Sequence, residues 1–133
     1  MVDVRELELF VLRHRRRSMK SMVPPVEYTV EDMKHWAKTL VQPRMCPYCR
    51  CLLALISEMS IDHKIPLARG GGHRLDNLEL ICKPCNEKKG VMTAEEYRAL
   101  LAFLDAELPW VKDDVLRRLR MSGRVCGWRR GRS

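Results

Sequence analysis

Two Cys-x-x-Cys pairs, Cys46-Pro47-Tyr48-Cys49 and Cys82-Lys83-Pro84-Cys85, stand 32 residues apart in this 133-residue chain. A Cys-x-x-Cys turn converges two sulfurs on one ion, and two such turns complete the four-thiolate tetrahedron in which Zn²⁺ is held. The alternative, a redox pair, calls for a thioredoxin-like βαβ pattern around one of the motifs, and neither has it. Four thiolates leave no open coordination position, so a zinc held this way is structural. The stretch between the pairs is too short to bury much apolar surface unaided, and the metal supplies the staple. Cys51 and Cys126 remain as free thiols.

The rest of the composition speaks to partners. Lys and Arg number 25 against 17 Asp and Glu, a net charge of +8 with a sequence pI of about 9.5, which favours a polyanion, nucleic acid before membrane. No apolar run approaches the roughly 18 residues of a membrane span. The first ten residues carry Asp3, Glu6 and Glu8 where a signal peptide has a basic and then an apolar start. These features predict an intracellular, cytoplasmic protein with no membrane partner.

Charge and periodicity divide the chain. Arg13-His14-Arg15-Arg16-Arg17 with Lys20 marks residues 1–28 as a basic N-terminal arm, and seven arginines between Arg117 and Arg132 end in a basic tail over 123–133. Residues 1–12 fit a helix through Val4, Leu7 and Val11 or a strand through Leu7, Leu9 and Val11, and are read as helix. Thr29 and Asp32 form a capping-box pair that opens a helix to about Val41, whose Met33, Trp36, Ala37, Leu40 and Val41 predict that residues 29–45 pack on the core. Thr93 with Glu96 opens another helix to about Glu107, and a last helix spans Lys112 to Met121 with Gly123 as its stop, so 91–122 reads as a helical extension. His14 and His35 are read as solvated, and His73 as a surface loop residue.

Between the cysteine pairs, Met59 to His63 and Leu78 to Cys82 read as short strands joined by a loop with Gly70-Gly71-Gly72. Pro84 near the first turn and Gly90 at the end bound a short helix after the second strand. The expectation for residues 46–90 is a ββα unit clamped by zinc on Cys46, Cys49, Cys82 and Cys85. With helices around it, the chain falls in the α+β class.

In this segment Asp62-His63, Ile65-Pro66, the glycine run, Asn77-Leu78 and Cys85-Asn86 with Lys88 and Lys89 follow one another in order. That order resembles the HNH endonuclease family, of the ββα-metal type with a four-cysteine zinc site. The resemblance implies a metal-dependent DNA endonuclease that hydrolyses phosphodiesters by nicking or by double-strand cleavage. His63 would be the general base, since an imidazole titrates near neutral pH. Asp62 would ligate the catalytic cation through a hard oxygen. Asn77 would tie the loop together so that the histidine is aimed.

Asn86 stands where many members carry histidine and would ligate through its amide oxygen. Two oxygen ligands favour Mg²⁺ or Mn²⁺ over Ni²⁺ as the second metal. Arg69, Arg74, Lys88 and Lys89, with Arg129 and Arg130 of the tail, would contact DNA phosphates. Small proteins of this resemblance are encoded by phages, mobile elements and restriction systems. A homodimer, a phage terminase or packaging partner, and residence in a host cytoplasm therefore stay open. Two other readings stand beside the nuclease: a non-catalytic zinc-ribbon DNA-binding module, and an accessory subunit of a packaging or restriction assembly.

Overall fold

The computed structural model describes residues 2–21, 24–40 and 44–125, with side chains as far as Arg120. At its centre β1 (Met59–His63) and β2 (Leu78–Cys82) pair antiparallel, in a register running from Met59 opposite Cys82 to His63 opposite Leu78. The pleat alternation sets Met59, Ile61 and His63 with Leu78 and Leu80 on one face, and Asp62 with Glu79 on the other. An isolated two-stranded hairpin is marginal in water. Here helices pack against it, and the four paired cysteines gather in one cluster.

The loop between the strands is held by one side chain. Asn77 Oδ1 accepts from the Ile65 amide at 2.9 Å, while Nδ2 donates to the Ile65 and Gly72 carbonyls, each at 3.0 Å. Lys64 N donates to Asn77 O at 2.7 Å. Glycine is demanded twice in this loop. Gly70 has φ +90°, and a Cβ on Gly71 would collide with the Ile65 carbonyl.

Directly after β2 comes the helix of the ββα unit, α3 (Lys83–Lys89); α1 (Val4–Ser21) and α2 (Val30–Thr39) precede the hairpin in the chain. Cys82 caps α3 by accepting from the Cys85 amide at 3.4 Å, and Pro84 sits in the first turn. The capping box expected for α2 is present: Thr29 Oγ1 accepts from Asp32 N at 3.1 Å and Asp32 Oδ2 accepts from Thr29 N at 2.8 Å. The helix ends with Leu40 as its cap; Val41 and Pro43 lie outside the described residues.

The segment read as a basic arm, residues 1–28, contains a helix. Residues 4–21 form a helix whose Leu7, Val11, His14 and Ser18 are buried in one stripe, packed across Met33 and Ala37 of α2. The arginines at 13, 16 and 17 point outward from the same helix. A charge-rich segment can be a packed helix when its few apolar positions keep the 3.6-residue period.

On the far side, α4 (Ala94–Asp105) opens with the Thr93–Glu96 capping box and buries Tyr97. The last helix, α5 (Pro109–Val125), starts three residues before Lys112, because a proline's fixed φ suits a first turn, and it runs past Gly123, the expected stop. It packs on α3, where Arg120 ion-pairs with Glu87. Cys126, Arg129 and Arg130 lie outside the described residues. The class is α+β, as the sequence predicts: a ββα unit with a four-cysteine cluster, flanked by helices. None of the described helices is long and apolar enough to cross a membrane.

Candidate functional site

The four cysteines singled out by spacing converge. The sulfurs of Cys46, Cys49, Cys82 and Cys85 all lie within 4.8 Å of one another, and Cys49 Sγ is 3.6 Å from Cys82 Sγ. Zinc–sulfur bonds of about 2.3 Å in a tetrahedron place the sulfurs about 3.8 Å apart. The donor set and spacing therefore fit a structural zinc. Cys46, Cys82 and Cys85 are buried, and their mutual hydrogen bonds lower the pKa of the Cys46 thiol while raising those of Cys82 and Cys85. Cys51 is exposed and outside the cluster. Tyr48, inside the first turn, stands edge-on to Tyr97 of α4 with ring centroids 4.9 Å apart, which ties that turn to the helical flank.

At the end of β1, successive side chains leave by opposite faces. Asp62 turns toward α3, where Lys89 Nζ lies 2.7 Å from its Oδ2 and 3.0 Å from the His63 carbonyl oxygen. Burial pushes the Asp62 carboxyl above its ordinary pKa, and the charge of Lys89 opposes that shift. Asn86 lies one helical turn before Lys89 on α3 and is half-buried, so positions 86 and 89 share a helix face.

His63 leaves by the other face. Its Nε2 is 3.2 Å from Nδ1 of His73, with the rings edge-to-face, and the ring of His14 from α1 lies 6.1 Å away centroid to centroid. His63 is 1% exposed, and burial, reinforced by His73 and Lys89, lowers its pKa to about 4. Asn77, just below the hairpin, closes the loop that follows His63 through the three hydrogen bonds described above.

The HNH endonuclease family model matches residues 46–91, the span that holds all of these groups. Residues 46–91 form an HNH-family domain. The family is one of endonucleases, which points to nuclease chemistry with DNA as the substrate. No curated protein matches the chain.

Around the HNH domain the basic residues divide. Arg69 forms an ion pair with Glu96 of α4, its Nη2 donating to Oε2 at 3.1 Å, and Arg74 pairs with Asp76 at 3.1 Å. Both arginines are exposed, and Lys88 is half-buried. Lys89 departs from the expected phosphate contact, because its side chain is fully buried against Asp62. Arg129 and Arg130 lie outside the described residues.

Two histidines, His73 within the HNH domain and His14 on α1, depart from expectation. His14, expected in solvent, is 1% exposed, and His73, expected on a loop surface, is fully buried. His73 is fixed by its backbone: Val26 bridges to it in parallel, and Glu27 N donates to His73 O at 2.9 Å. The signal for His14 is helical phase, since it follows Leu7 and Val11 on one stripe.

These burials set a pH dependence. The pKa of His14 falls from 6.5 to about 3, chiefly through burial, and that of His63 to about 4. Below pH 6.5 the unfolded chain binds protons there that the folded chain does not, so stability is full above about 6.5 and falls as the pH drops toward 4. Each histidine contributes about 1.4 kcal/mol per pH unit in that window. In urea melts, His14→Leu is expected to lose distinctly less stability between pH 7 and pH 5 than the wild type. Equal losses would remove His14 from the account.

Proposed function

We propose that the HNH domain is a metal-dependent DNA endonuclease, with His63 as general base and Asp62 and Asn86 holding a divalent cation. The observation that carries this reading is the end of β1, where Asp62 meets α3 one turn from Asn86 and the adjacent His63, leaving by the other face, precedes the loop that Asn77 closes. A carboxylate and an amide oxygen are hard donors, suited to Mg²⁺ or Mn²⁺. A cation bound there supplies charge neutralisation at the scissile phosphate and the leaving 3′ oxygen.

The chain's own groups do the rest. Burial keeps His63 neutral at physiological pH, so its imidazole has a lone pair with which to accept the proton of an attacking water. The expected product carries a 5′-phosphate. Turnover requires the enclosed ring to open to water. Arg69, Arg74 and Lys88, with the exposed Arg13, Arg16 and Arg17 of α1, supply salt-dependent phosphate contacts that carry no sequence information. One site makes one cut per visit, so nicked plasmid precedes linear.

The test is plasmid cleavage by the zinc-loaded chain, stripped of loosely bound metal and given back Mg²⁺, Mn²⁺ or Ni²⁺. Metal-dependent nicking is expected, with His63→Ala slower by about 10²- to 10³-fold while DNA binding is retained. A folded, zinc-loaded wild type that cuts with none of these metals would leave a non-catalytic zinc-ribbon module as the better reading.

A further inference from the structure

Three imidazoles meet between α1, β1 and the loop, and each keeps a buried nitrogen without a hydrogen-bond partner among the described residues: Nε2 of His14, Nδ1 of His63 and Nε2 of His73. Buried polar atoms are rarely left unpaired, so such a cluster calls for an explanation. Only one direct contact joins the rings, His63 Nε2 to His73 Nδ1 at 3.2 Å. Since both atoms are imidazole nitrogens, one must carry the proton and the other the lone pair.

We infer that His73 is a positioning residue for His63, accepting a hydrogen bond from His63 Nε2–H at its own Nδ1 and so leaving the lone pair of the proposed base on Nδ1. The inference rests on the nuclease reading for its consequence, not for its geometry. It puts both rings in the Nε2–H form that neutral histidine prefers in water. The opposite arrangement puts both in the Nδ1–H form and takes the lone pair from the one nitrogen of His63 that has no hydrogen-bond partner among the described residues.

His73 is well placed to hold a ring still. It is fully buried, its carbonyl is fixed by the Glu27 amide, and its neighbour Gly72 is tied to Asn77. The residue that closes the loop therefore also fixes the chain that carries His73. A partner that fixes the tautomer and orientation of a working histidine typically affects activity by about 10- to 100-fold.

The experiment uses the full zinc-loaded chain with ¹⁵N-labelled histidine, recorded at pH 7.5 as wild type, His73→Leu and His73→Asn. Long-range ¹H–¹⁵N spectra of the wild type are expected to show His63 protonated at Nε2 alone. His73→Leu is expected to mix the two tautomers, whereas His73→Asn, whose Oδ1 can stand near the place of Nδ1, keeps the single form. In the nicking assay His73→Leu should lower kcat about 10- to 100-fold with KM unchanged, and His73→Asn should stay within about threefold of wild type.

A proton on Nδ1 of His63 in the wild type would overturn the inference, and so would a His63 spectrum indifferent to His73→Leu. Equal loss of activity in the two variants would do the same. If the leucine variant does not fold, the wild-type tautomer and the asparagine variant still decide. A wild type that does not nick at all ends the nuclease reading, while the spectra judge the hold of His73 on His63 separately.

Discussion

Cys85→Ser is expected to yield a chain without zinc whose central hairpin is unfolded at room temperature. Cys85 is 2% exposed, in the first turn of α3, and its sulfur lies within 4.8 Å of three others from both knuckles. Binding of a structural zinc contributes on the order of 10 kcal/mol. That is comparable to the whole stability of an ordinary domain, about 5–15 kcal/mol. Five-residue strands joined by a glycine-rich loop have little with which to replace it.

Cys51→Ser supplies the contrast, because Cys51 is exposed and outside the cluster. It should keep one zinc per chain and melt within about 2 °C of wild type, in line with the small effects of surface substitutions. Metal content and far-UV circular dichroism after gel filtration report both variants. Retention of stoichiometric zinc by Cys85→Ser, or equal melting of the two, would contradict the four-cysteine site.

What the sequence made legible was local, or fixed by spacing. The cysteine pairs give the zinc cluster, Thr29–Asp32 and Thr93–Glu96 give two helix starts, and the strand alternation gives β1 and β2 with the bounds observed. What escaped depends on distant partners. His14 stands among arginines, which read as a solvated run, yet its burial follows from α1 lying against α2 and the hairpin. His73 is a lone residue after three glycines, and its bridge to Val26, far upstream, is a contact that no local pattern announces. The site was legible as a set of residues; the second histidine against His63 was not, because no periodicity announces a contact across a loop.

Lys89 is placed at a DNA phosphate by the family resemblance. Its phase says otherwise, because it lies four residues after buried Cys85 on the same face. Lys89→Met is expected to cost about 3–5 kcal/mol of stability, the range for removing one partner of a buried ion pair. Methionine keeps most of the stem's packing, so the loss isolates the ammonium. Asp62, 5% exposed, would be left without the cation 2.7 Å from its Oδ2, and the His63 carbonyl without its 3.0 Å donor.

Adding Asp62→Leu to Lys89→Met should return most of that stability, because a buried ion pair replaced by apolar residues of similar size is often close to neutral. Urea midpoints of the wild type, both single variants and the double variant close the cycle, with an expected coupling above about 2 kcal/mol. Lys88→Met, from a half-buried neighbour, should stay within about 0.5 kcal/mol. Additive losses would mean that the two side chains are adjacent without depending on each other. Strong coupling would mean that the buried carboxylate and ammonium depend on each other for their stability.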